Sequence, residues 1–217
     1  MPESKQLFLR AIPDIKDTAG QVPASAEEIP VLVLPGGRPP KRQNEDDVGY
    51  DASTRAIICP SLAFDDVNPA MRKTLFDFKE PAHDHTHRGK IKLIPGRGNP
   101  DEWVWMMEPG EHVFLGLGVV LGLTSPWRAH TVPRGSTPNR HFLMLLDATV
   151  PIDSGFRGEP VAHLWHTGKE SFPLRHGNRF VQFEFWKAEL PTLVQLPPGE
   201  VLPVGIRGTN CNGSTRE

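Results

Sequence analysis

A chain of 217 residues carrying 23 prolines and 20 glycines has little room for long helices. Proline deletes a backbone donor and clashes with the preceding helical turn, and glycine loses the most backbone freedom when fixed in a helix. Frequent punctuation of this kind favours short strands joined by turns. The apolar runs between the breaks fit that reading. "PVLVLPGG" (30–37) and "TRAIICP" (54–60) read as strands, the second as a buried one. "EWVWMMEPGEHVFLGLGVVLGL" (102–123) reads as a strand, a Pro-Gly turn and a second strand, with Trp103, Trp105, Met106 and Met107 as packing residues. "HTVPRGSTPNRHFLMLLDATVPID" reads as two strands around a polar turn, and "VQFEF" alternates Phe183 and Phe185 with Gln182 and Glu184. Many short strands at this spacing predict an all-β barrel or jelly roll. One short helix is expected at "NPAMRKTLFDF" (68–78), with Asn68 as N-cap and Pro69 at the first helical position.

Composition narrows the class. Hydrophobic residues make up 38% and charged residues 23%, which suits a globular domain with a sizeable core. A formal net charge of -2 gives no reason to expect nucleic acid as a partner. No apolar run has the length of a membrane span, and the opening "MPESKQLFLRAIPDIKD" lacks the core of a signal peptide, so the expected location is cytoplasmic. Cys59 and Cys211 form no metal-type or redox-type pair. The chain divides into an N-terminal extension (1–29), a β-barrel domain (30–206) with an insertion at about 61–101, and a flexible, small-residue arm (207–217).

Five short polar stretches carry the candidate chemistry. In "VGYDAST" (48–54), Asp51 is an acid able to hold Mg²⁺ through water, because Mg²⁺ keeps much of its hydration and takes few protein ligands. In "PRGSTPNR" (133–140), Arg134, the amides around Gly135 and the Ser136 hydroxyl suit a phosphate. "PIDSGFRGE" (151–159) places Asp153 between an apolar strand and a glycine turn. "GNRFVQ" (177–182) offers Arg179 and Gln182, and "RGTNCNGST" (207–215) offers Arg207 with glycines and hydroxyls. Each stretch by itself is also an ordinary turn or chain end. "HDHTH" (83–87) lacks the accompanying cysteines or HExxH spacing of zinc sites and reads as a solvated loop.

The order of the five stretches is more informative than any one of them. "DVGYDAST", "VPRGSTPNR", "PIDSGFRGE", "GNRFVQFEF" and "RGTNCNGST" follow the order of the five motifs of the trimeric dUTPase family, which the chain resembles over roughly residues 30–59 and 102–217. The resemblance implies a distorted jelly-roll β-barrel of dUTPase type. It implies a homotrimer whose active sites are each shared by three chains, and the hydrolysis of dUTP to dUMP and pyrophosphate. Asp153 takes the place of the general base, Asp51 that of the acid holding water on Mg²⁺, and Arg134, Gly135 and Ser136 that of a phosphate grip. Arg179 and Gln182 fall in the fourth motif; Arg207, Gly213, Ser214 and Thr215 fall in the tail that closes over the phosphates. Phe156 stands where the family commonly has a Tyr on the deoxyribose.

The chain departs from the family at identifiable positions. Gly135 stands where a Ser is usual, Asn212 where the tail carries a ring, and Pro151 and Val150 where the base-reading hairpin has a Gly. Asp147, in the same hairpin, accepts hydrogen bonds only and would favour a base with an amino donor. These differences keep two alternatives in view: the same scaffold acting on dCTP or a modified deoxynucleotide, and a nucleotide-binding regulatory protein with little turnover. The related dCTP deaminases place a Glu ten residues after the turn Asp. That position is His163 here, which ranks deamination low.

Overall fold

The computed structural model of the protein describes residues 28–79, 87, 89–96, 100–189, 191, 195, 197 and 198. Nearly all of its regular structure is strand. The largest sheet has five strands in the order β10 (Leu143–Leu145), β12 (Val161–His166), β7 (His112–Gly116), β3 (Ala56–Ile58) and β4 (Thr74–Asp77). A second sheet runs β11 (Pro151–Ile152), β9 (Trp127–Pro133), β14 (Val181–Lys187) and β2 (Tyr50–Ala52). Smaller sheets join β13 (Phe172–Arg175), β6 (Glu102–Met107) and β5 (Ile91–Ile94), and pair β1 (Val31–Val33) with β8 (Val119–Leu121). The named strands pair antiparallel throughout. The all-β class expected from the proline and glycine content is the one observed.

The core follows from period-two alternation. Ala162, Leu164 and His166 of β12 are buried between the more exposed Val161, His163 and Trp165, and Val181 and Phe183 of β14 are buried between Gln182 and Glu184. Residues of both large sheets, including Ile57, Leu115, Leu164, Ala129 and Phe183, enter one hydrophobic cluster. Trp105 and Met107 join it, as the sequence suggested, whereas Trp103 lies on the exposed side of β6.

Two local expectations are corrected. The 68–78 segment is not a helix. Asn68 does act as a cap, its side chain accepting the Ala70 N–H at 3.2 Å, but only a single turn follows. From Thr74 the chain runs extended as β4, because Phe76 and Phe78 are two apart and both reach the core. The short helix lies instead within the polar stretch read as a turn, as α1 (Ser136–His141). It is fastened by the buried Thr137, whose hydroxyl donates to the Phe180 carbonyl at 2.5 Å.

A buried ion pair ties the end of the 151–159 stretch into the core. Arg55 grips Glu159 with two parallel bonds, Nε to Oε1 at 2.8 Å and Nη2 to Oε2 at 2.9 Å. The carboxylate also accepts the backbone N–H groups of Gly118 and Arg72, and Arg55 Nη1 donates to Thr74. Both side chains are essentially closed to solvent. Gly116 makes room for the pair, since a Cβ there would stand 2.6 Å from Glu159 Oε1.

Candidate functional site

Asp51 lies on β2 opposite Gln182 of β14. Its carboxylate, 5% exposed, is held on both sides: Arg134 Nε meets Oδ1 at 2.8 Å and Arg179 Nη1 meets Oδ2 at 3.0 Å. Arg134 leaves the end of β9, and its N–H donates to Phe180 O at 2.9 Å, so the start of β14 fixes its position. Three segments far apart in sequence therefore converge through sheet register. Gln182 packs closely on Gly49, where a Cβ would come within 2.5 Å of the amide carbon. Two guanidinium groups around one carboxylate leave an excess positive charge. Both arginines keep partly exposed faces, which is the composition of an anion site. Gly135 has a right-handed helical backbone, and nothing lies within 4 Å of the place a Cβ would occupy. The backbone therefore imposes no demand for glycine there. Ser136 begins α1 beside it.

Asp153 occupies a different corner. It follows β11, whose register against β9 brings it to Arg128, and Arg128 Nε lies 3.2 Å from Asp153 Oδ1. The Asp153 side chain is 71% exposed. Gly155, with φ +85°, makes the turn that follows. Phe156 is half-buried beyond it, near Phe64, both rings standing against Gly158. Across the sheet, Asp153 is three strands from Asp51 and about four residues further along β9. At ~4.8 Å per strand and ~3.3 Å per residue, the two carboxylates are roughly 20 Å apart. One chain thus holds the arginine–carboxylate cluster and the exposed acid at well-separated places.

The hairpin before Asp153 uses its acid internally. Both Asp147 oxygens accept the His163 N–H at 3.1 Å, and burial pushes the Asp147 carboxyl above its ordinary range. Thr149 at the tip adopts φ 73°. His163 stacks on Phe114, with ring centroids 4.1 Å apart, and its Nε2 lies 2.9 Å from His112 Nδ1. One ring of that pair must be neutral to accept the proton of the other. Burial first, and the neighbouring His112 second, hold His163 below its ordinary value of 6.5. The sign follows: below pH 6.5 the unfolded chain binds a proton that the folded His163 refuses, so acidification costs stability until the folded group also titrates. His163→Gln is expected to flatten the fall in melting temperature between pH 7 and pH 5.5, measured by thermal unfolding at each pH. An unchanged slope would remove His163 as its source.

Arg207, Gly213, Ser214 and Thr215, with His83 and His85, lie outside the described residues. His87 packs against Trp105, and among the described residues no group of three His, Cys, Asp or Glu is placed to hold a metal directly. Asp51 still fits an outer role. A carboxylate has about four lone-pair positions; two meet the arginines, and the others can accept from water on a cation. The sequence reading missed Arg128, Arg55 and Glu159. The only trace of the last is its place directly after "DSGFRG".

No family model matches the sequence. Among curated proteins, deoxyuridine 5'-triphosphate nucleotidohydrolases from Xylella fastidiosa strains M12 and M23 are 33% and 32% identical over 75 residues, 34% of this chain and 48% of theirs. The chain therefore matches about half the length of these relatives. Among solved structures, the dUTPase of Staphylococcus bacteriophage 80alpha with bound dUpNHpp superposes with a TM-score of 0.57 at 15% identity, covering 88% of this chain and 99% of that one. A variant dUTPase from phage phi11 of S. aureus, described as coordinating a structural Mg(II) ion, superposes with a TM-score of 0.52 at 12% identity, covering 80% and 99%. The antiparallel sheets and these superpositions show that the chain has the all-β fold of the dUTPase structures, and over 75 residues its sequence is similar to the curated nucleotidohydrolases.

Proposed function

We propose that the protein is a Mg²⁺-assisted deoxynucleoside triphosphate pyrophosphohydrolase, with dUTP as its substrate, working as a homotrimer with shared sites. The observation that carries this reading is the convergence of Asp51, Arg134, Arg179 and Gln182, drawn from three of the five stretches, on one positively charged cluster. Arg134 and Arg179 offset the charge of the triphosphate, with Gly135, Ser136 and Gln182 beside them and Arg207, Gly213, Ser214 and Thr215 closing from the arm. Asp153 takes a proton from water; the water oxygen bonds to the α-phosphorus, and the bond from that phosphorus to the bridging oxygen breaks. Nucleoside monophosphate and pyrophosphate leave, and Asp153 returns its proton to solvent. Phe156 packs on the sugar. A Mg²⁺ held through water by Asp51 would supply further neutralisation of the phosphates when bound.

The separation of Asp153 from the Asp51 cluster supports assembly. A water activated by Asp153 cannot attack a phosphate gripped roughly 20 Å away on the same chain, so a neighbouring copy must supply the missing half. Closed heterologous contacts of a ring provide that geometry. Asp153→Asn and Arg134→Ala should each be nearly inactive alone, yet regain activity when refolded together. Random mixing leaves about a quarter of the sites intact in a ring of shared sites. Pyrophosphate release that stays at the level of the single variants, with mixed oligomers present, would reject shared sites.

A second reading concerns the base. Pro151, paired within β11 in the hairpin that the resemblance assigns to base recognition, has no N–H to offer a base, and this motivates a modified deoxynucleotide or dCTP as substrate. Asp147, whose carboxylate is taken by the His163 N–H, adds nothing to that case. Pyrophosphate release across dUTP, dCTP, dTTP, dATP, dGTP and UTP separates the two readings by the preferred base. Binding without turnover of any would indicate a regulatory protein.

A further inference from the structure

We infer that Arg128 is a positioning residue for Asp153; this rests on the proposed role of Asp153 as general base. An acid that is 71% exposed has a side chain free to sample several rotamers, and a general base works only when its acceptor oxygen is held toward the water it deprotonates. Arg128 supplies that restraint. Its side chain is only 13% exposed, and the guanidinium is fixed from behind. Nη1 donates to its neighbour's carbonyl, Trp127 O, at 3.0 Å and also contacts the Ser154 hydroxyl, which itself donates to Trp127 O at 2.8 Å. Trp127 is in turn held by its N–H on Thr124 O at 2.8 Å. A planar guanidinium anchored at one edge holds its charge in a fixed place, and here that place is beside Asp153, with Nε 3.2 Å from Oδ1 in an ion pair.

The arrangement divides the labour within one carboxylate. Oδ1 faces Arg128, which leaves Oδ2 turned away from the guanidinium and open to the water. The orientation is built by strand register, since Asp153 continues the β11–β9 pairing that sets Pro151 opposite His130 and Ile152 opposite Ala129. Arg128 acts through Asp153 and so differs in kind from Arg134 and Arg179, whose partner is the buried Asp51.

The test is a double-mutant cycle on pyrophosphate release from full-length protein at saturating nucleotide and Mg²⁺, using the base preferred in the panel above. Arg128→Met keeps the stem and removes the fork. It should lower kcat about tenfold or more while KM changes little, since the interaction serves the chemical step. Arg128→Lys should recover part of the loss. In the Asp153→Asn background, Arg128→Met should cost almost nothing further, because the carboxylate it orients is gone. Equal losses in both backgrounds would show a merely structural role and overturn the inference, as would a wild-type kcat in Arg128→Met. The underlying reading fails separately: if Asp153→Asn keeps the wild-type rate, or if the wild type turns over no nucleotide, there is no base to position and both fall.

Discussion

Asp153→Asn is expected to lower pyrophosphate release by about 100- to 10,000-fold, the range a positioned general base contributes. Asparagine preserves the size of the side chain and can still meet Arg128 through its carbonyl oxygen, but it takes no proton. Asp153 lies on the exposed rim of its sheet, so the substitution removes no core contact, and the melting temperature should be unchanged. Nucleotide affinity should survive as well, because the Arg134–Asp51–Arg179 cluster stands on other strands. Titrating the variant with a non-hydrolysable triphosphate analogue measures that affinity directly. A variant that turns over at the wild-type rate would end the assignment of Asp153. Loss of binding together with rate would instead make it a contact for the nucleotide.

The largest effect on stability is expected at the buried pair. Glu159→Ala strands the Arg55 guanidinium in a site closed to water and leaves the Gly118 and Arg72 N–H groups without their acceptor. Removing one member of a buried ion pair typically costs about 3–5 kcal/mol. For a chain of this size that is a fall in melting temperature of order 10 °C. Arg55→Met should be comparably costly, since it leaves the carboxylate unpaired. The double variant, with Met and Leu replacing Arg55 and Glu159, should be less destabilised than the sum of the singles, as neither charge is then left alone. Thermal unfolding of the four proteins closes the cycle. Additive losses would mean the two side chains do not depend on each other.

The parts of this molecule legible in the sequence are those where chemistry and local pattern coincide. Asp51, Arg134, Arg179 and Gln182 stand in stretches whose order is informative, and the structure brings these four together because β2, β14 and β9 are register neighbours. The alternation of "VQFEF" gave the burial of Phe183 directly. Asn68 and Pro69 misled for a local reason: a valid cap signal opened a single turn, and the period-two pair Phe76 and Phe78 then prevailed through the core. Arg128 and Glu159 carried no signal because their meaning lies in pairing partners 25 and 104 residues away. An arginine on a strand is unremarkable until the register places an acid opposite it. Asp147 shows the converse: a polar side chain that invited a ligand role is engaged by the backbone of β12.

The placement of Asp153 and Asp51 at far corners of one sheet has a consequence for how output depends on abundance. Under the proposed reading a solitary chain is catalytically silent, and every working centre is a junction between copies. Where chains are scarce relative to their association constant, output then rises more steeply than in proportion to the number of chains. A defective copy that still assembles also harms more than itself, since it poisons centres completed by sound neighbours. Dominance at the genetic level would thus be written into the geometry of a single sheet.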